Sequence, residues 1–266
     1  MPFCRKCGNQ LDEQASFCPK CGTPVSPLAP PAYAARRRRT YPYAPFAVIA
    51  GVLFFAFILF MAFSYSWIPF GTIVGSGNLV AQDRSFSGFS SVGISSGFSF
   101  TIKQSSSYSV RTIADDNIQN YIQISQSGDT LSVGFKPGYG VTTSFLQVEI
   151  SMPSLSRLEL SGGAHGNVTG FISTSNFGVD ASGGSRVLVK GQANDLTINA
   201  SGGSLLDLLD FAVRNANVNL SGGSRADVDA SGRIDANLSG GSHLYYLNNP
   251  TLGSINVSGG ATIEKR

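Results

Sequence analysis

All four cysteines of the 266-residue chain fall within its first 21 residues, as Cys4-Arg5-Lys6-Cys7-Gly8 and Cys18-Pro19-Lys20-Cys21-Gly22. Two residues between cysteines let one tight turn aim both thiolates at a single ion. Two such turns, separated by ten residues, complete the tetrahedral sulfur set that Zn²⁺ favours. Two disulfides or a redox CxxC are the other uses of such pairs, and the doubled spacing fits zinc better. One Zn²⁺ held by Cys4, Cys7, Cys18 and Cys21 leaves no open coordination position, so the site is structural and not catalytic. A segment this small has almost no apolar core without its metal.

Elsewhere the residues of chemistry are sparse. His165 and His243 are the only histidines, and each stands four residues after the serine of a Ser-Gly-Gly tripeptide, in the first and fifth occurrence. They are too far apart to act on one substrate. Asp207/Asp210 and Asp227/Asp229 are acid pairs of the kind a polysaccharide-cleaving enzyme uses. A solvated strand face accounts for them as well, and no catalytic residue or organic cofactor site is assigned. Calcium would suit Gly-Gly-Ser-Arg-Ala-Asp, yet the nonapeptide spacing of calcium-binding β-rolls is absent. Asn199, Asn219, Asn237 and Asn256 each stand two residues before a repeat serine, making N-x-S sequons, with Asn167-Val168-Thr169 a fifth. Recurrence with the repeat points to an asparagine ladder between stacked coils, each amide bonding to the next, or to a merely polar face. Glycosylation is the other reading, open to an outer surface.

The elements that place these residues follow from the repeat. Ser-Gly-Gly occurs at Ser161, Ser182, Ser201, Ser221, Ser239 and Ser258, at intervals of 21, 19, 20, 18 and 19 residues. The positions one and three before each serine are apolar, among them Leu220/Val218 and Leu238/Ala236, and so are most positions five and seven after it. Both runs alternate with period two, the strand period. A repeat therefore reads as strand, Gly-Gly corner, strand, then a second corner near Gly170, Gly191 or Gly232. One coil of ~19 residues cannot bury its own apolar face, whereas stacked coils build a continuous core. The fold class expected is all-β, a parallel β-helix.

Composition separates the ends of the chain. Residues 1–44 carry seven Lys/Arg against two Asp/Glu, while residues 71–266 carry twelve against fourteen. The large domain has no basic field, which argues against nucleic acid as its partner. Residues 28–45 are rich in proline and contain Arg36-Arg37-Arg38-Arg39, a semi-rigid linker. Phe46 to Phe63 is an unbroken apolar run of eighteen residues, about 27 Å as a helix. Flanking tyrosines and Trp67 suit the two interfaces, so a transmembrane helix is expected over 46–68. A cleaved signal peptide fits less well, since 44 residues or more precede the run and no A-x-A site follows. Four arginines before the span place the N-terminus in the cytoplasm and the C-terminal domain outside, and also suit anionic lipid.

Residues 1–27, with Phe17 before the second cysteine pair, closely resemble the short zinc-ribbon found at the N-terminus of many prokaryotic membrane proteins. Residues 75–266 resemble the head GIN domain of auto-transporter adhesins. That likeness rests on the opening Gly75-Ser76-Gly77-Asn78, on Asp115-Asp116-Asn117-Ile118 ahead of Tyr121-Ile122, and on Met152-Pro153-Ser154-Leu155 leading into Leu158-Glu159-Leu160-Ser161-Gly162. It implies a β-helical surface domain and carries no catalytic residues. The function expected is membrane-anchored display of an adhesin-like domain that binds glycan or envelope polymer, without enzymatic activity. The alternatives are an envelope sensor coupled to a cytoplasmic zinc-ribbon, with a protein partner inside the cell, and a polysaccharide-cleaving enzyme.

Overall fold

A computed structural model describes residues 2–12, 14–25, 72–143, 145–173 and 175–266. The chain divides into two compact units, Met1–Ala62 and Phe63–Arg266. The expected linker 28–45 and span 46–68 lie outside the described residues. Among the described residues no helix is long and apolar enough to cross a membrane.

The larger unit is a solenoid of parallel strands with two main faces. On the first, Ser91–Ile94, Arg157–Leu160, Phe177–Ala181, Asp195–Ala200, the later parts of Leu205–Leu220 and Arg225–Leu238, and Thr251–Val257 pair in that spatial order. The second stacks Ser99–Gln104, His165–Ile172, Arg186–Gln192, the earlier parts of the two long strands, His243–Leu247 and Thr262–Lys265. Ser-Gly-Gly turns the chain from the first face to the second. The alternating apolar residues point inward, and Leu158, Val179, Ile198 and Val218 form one column with no solvent exposure. Phe177 and Phe211 fill a wider part of the interior, with ring centroids 5.1 Å apart.

The lead-in departs from a pure solenoid. Leu79–Arg84 pairs antiparallel with Ser109–Asp115, which pairs antiparallel with Leu146–Met152. Ile122–Ser127 and Thr130–Phe135 form a hairpin. The reason is local: the connection Gly128-Asp129 is a two-residue turn with Gly128 at φ 60°, which reverses a strand onto its neighbour. A Gly-Gly corner instead sends the chain to the other face. The result is an antiparallel cap over one end of the solenoid.

Candidate metal centre and candidate binding groove

The two cysteine knuckles are built alike. Cys4 N–H donates to the Asn9 carbonyl and Gly8 N–H to that of Cys4, at 2.8 and 2.9 Å; Cys18 with Thr23 and Gly22 with Cys18 repeat the pair, both at 2.9 Å. Gly8 and Gly22 lie at φ 67° and 69°, the left-handed conformation that closes each knuckle without steric cost. All four sulfurs fall within 4.8 Å of one another, with Cys4–Cys21 and Cys7–Cys18 at 3.6 Å. Tetrahedral sulfurs around one Zn²⁺ stand about 3.8 Å apart, whereas a disulfide needs about 2.05 Å. The donor set therefore fits one structural metal ion. The thiols respond to this crowding. The Thr23 hydroxyl and backbone N–H push Cys21 down to about 6. Asn9 N–H favours the Cys7 thiolate, yet the neighbouring sulfurs, Cys21 foremost, push it up to about 12. A bound cation would relieve that repulsion.

On the first face of the solenoid a hydrogen-bonded ladder runs across the coils. Asn256 Nδ2 donates to Asn237 Oδ1 at 2.8 Å, Asn237 to Asn219 at 3.1 Å, Asn219 to Asn199 at 3.0 Å, and Asn199 to Asp180 Oδ1 at 2.8 Å. Asp180 closes the series by taking the Arg157 guanidinium at 2.6 Å on its other oxygen. The expected asparagine ladder is present, and every donor points the same way along it. Beside it the corner serines form a second column, each N–H donating to the carbonyl one residue before the corner of the preceding coil, as in Ser201 to Ala181 and Ser221 to Ala200 at 2.9 Å. Between the two columns runs a groove of about 750 Å³, lined by the ladder residues Asn199, Asn219 and Asn237 and the corner serines up to Ser239, with the carboxylates of Glu159 and Asp180 toward its other end. Each ladder amide has a second N–H: that of Asn219 reaches Asn217 Oδ1 at 3.5 Å, and those of Asn199 and Asn237 are left for a ligand.

Two parts of this arrangement were not read from the sequence. The residue after four of the six Gly-Gly pairs is a buried serine, Ser185, Ser204, Ser224 and Ser242, with Ala164 and Ala261 in the same place at the first and last corners. The Oγ atoms of Ser185, Ser204 and Ser224 donate to the corner-serine carbonyls at 2.7–2.8 Å. The fourth letter of Ser-Gly-Gly-Ser was the available signal. A further corner, Ser95-Ser96-Gly97, carries Ser96 at φ 61° and lacks the tripeptide. Gly134, in the neighbouring strand Thr130–Phe135, makes room for it, since a Cβ there would lie 2.5 Å from Ser95 Oγ.

The histidines share a column on the second face, with Arg186, Leu205 and Arg225 between them. Four coils separate them by about 19 Å. The aspartates are not simply a solvated face. Asp227 is buried and bound by Arg225 at 3.0 Å, Asp210 by Lys190 at 2.7 Å, and Asp229 by Asn248. Asp207 is exposed, its Oδ1 accepting from the Leu209 N–H at 3.2 Å. The lead-in motifs fasten to each other: Gly77 N–H donates to Asp115, Ser76 Oγ and Asn78 Nδ2 to Asp116, and Ser76 N–H to Asn117. Gly75 must lack a side chain, because a Cβ there would fall 1.9 Å from Asp115 Oδ2.

Residues 88–250 match the family model described as "Putative auto-transporter adhesin, head GIN domain". The chain belongs to this GIN family. Residues 3–25 match a zinc-ribbon domain, with four cysteines gathered at one point. No curated protein matches the chain. Among solved structures, a "putative adhesin" from Bacteroides fragilis NCTC 9343 is similar with TM-score 0.61 and 18% identity, covering 73% of this chain and 100% of its own. A "Putative lipid binding protein" from Parabacteroides distasonis ATCC 8503 gives 0.50 and 16%, covering 74% and 100%. At these identities the likeness establishes the GIN domain's fold. Neither printed name describes an enzyme.

Proposed function

We propose that the chain is a single-pass membrane protein whose GIN domain, outside the cell, holds an extended envelope polymer such as a glycan along the asparagine–serine groove. The observation that carries this reading is the ladder. It offers neutral hydrogen-bonding groups at a constant interval of about 4.8 Å, a pattern suited to a chain of repeated hydroxyl-bearing units. The span is residues 46–68 with the N-terminus cytoplasmic, as the arginine run before it favours. There the zinc-ribbon holds one Zn²⁺ through Cys4, Cys7, Cys18 and Cys21, a role its sulfur spacing supports. The protein binds and does not cleave, in keeping with the names of its structural relatives.

The test is a glycan array probed with the detergent-solubilised full chain and with the Asn199→Ala/Asn219→Ala/Asn237→Ala triple variant. Neutral envelope glycans retained by the parent and lost by the variant are the expected result. Equal retention by both would remove the groove from the reading.

A further inference from the structure

The second face carries a recess that shares no residue with the groove. It has a volume of about 490 Å³, and His165, Asn167, Arg186, Leu188, Leu205 and Arg225 are among the residues around it. Strand register explains its floor. Leu188 and Leu205 point outward from adjacent coils, half-buried, at positions where other coils carry polar groups. The cations differ in state. Arg225 spends Nε and both contacts of its terminal Nη2 on Asp227, at 3.0–3.2 Å. Arg186 is exposed and has no carboxylate partner among the described residues. His165 is engaged on both ring nitrogens, with Ser99 Oγ at 2.9 Å and the Gly163 carbonyl at 3.3 Å, so it stands as a fixed wall.

We propose that this recess binds a sugar ring bearing a carboxylate, a hexuronate unit of an acidic polysaccharide. The two leucines form a flat apolar shelf for the C–H face of a ring. Arg186 offers a planar guanidinium that pairs with a carboxylate through two hydrogen bonds, and the Asn167 amide reaches a ring hydroxyl. The volume lies in the range of small-ligand sites. Asp207, in register with Leu188 on the next coil, and Asp227 one coil beyond it border the shelf away from Arg186 and disfavour a second negative charge, so one carboxylate per ring suits the recess and a polyphosphate does not. A shelf of two side chains on a sheet gives an acyl chain no tunnel to fill. This inference does not rest on the groove.

The test titrates the detergent-solubilised full chain with a tetragalacturonate and with its methyl ester, which keeps the rings and removes the charges. The acid should bind, and the ester should bind roughly tenfold more weakly, as should the acid to Arg186→Gln. Lys103→Gln, which removes an exposed cation from the same face outside the recess, should bind the acid like the parent. All three chains should melt at the same temperature. No binding of the acid, equal binding of acid and ester, or equal weakening by both substitutions would overturn the proposal.

Discussion

Asp235 is held down at about 2 by the Arg233 guanidinium, at 2.7 Å, and then by the Ser254 backbone N–H. Asp116 is lowered by Ser76 and Asn78, and Asp83 by Arg111. A carboxylate with a depressed folded-state pKa stabilises above its unfolded value, near 3.8, and loses that contribution as pH falls through the folded value. The solenoid should therefore lose stability between about pH 4 and pH 2, and Asp235→Asn should flatten the melting temperature across that window. A melting profile equally steep in the variant would contradict this. At the other unit, elemental analysis of the purified chain should find one zinc. Cys18→Ser should abolish it and unfold the ribbon while the solenoid's melting transition stays where it was.

The corner at Ser221-Gly222-Gly223 asks different things of its two glycines. Gly222 sits at φ 66°, and a Cβ there would lie 3.1 Å from the backbone nitrogen of Gly202, whereas a Cβ at Gly223 would meet nothing within 4 Å. Gly222→Ala should destabilise by about 1–2 kcal/mol, and Gly223→Ala by less than about 0.5 kcal/mol, read by urea denaturation. A similar contrast holds within one strand. Leu220 is 2% exposed beneath the ladder residue Asn219. Leu220→Asp should cost about 3–5 kcal/mol by burying an unpaired charge, while Asn219→Asp keeps the fold. Equal tolerance of the two would mean that the inward register is wrong.

Across the whole molecule the apolar column that every inner coil covers is bare at one end. Leu238 is 2% exposed, whereas Val257, its partner in the last coil, is 46% exposed. At the other end the antiparallel cap covers the first coil. On the proposed topology, protease added to intact cells should remove the GIN domain and spare the ribbon. Protection of the GIN domain in cells whose other surface proteins are cut would reverse the orientation.

The sequence alone determined the solenoid and its register, because a corner repeated every 18–21 residues between period-two strands admits one way of burying the apolar side. For the same reason it located the asparagine column, since residues two before each corner must stack. It also placed the four cysteines at one centre, whose spacing is a local property of two turns. Tertiary structure decided the rest. The turn at Gly128-Asp129 is local, but that its hairpin joins the end of the stack depends on Thr130–Phe135 pairing with Ser91–Ile94, a strand distant in sequence. Asp227 reads as exposed by alternation, yet Arg225 and Arg266 at 3.0 and 3.5 Å enclose it, one from its own strand and one from beyond the last corner. In the recess around Leu188 and Leu205, Arg225 turns onto Asp227 while Arg186 meets no carboxylate among the described residues, a choice of partner that the strand register does not decide.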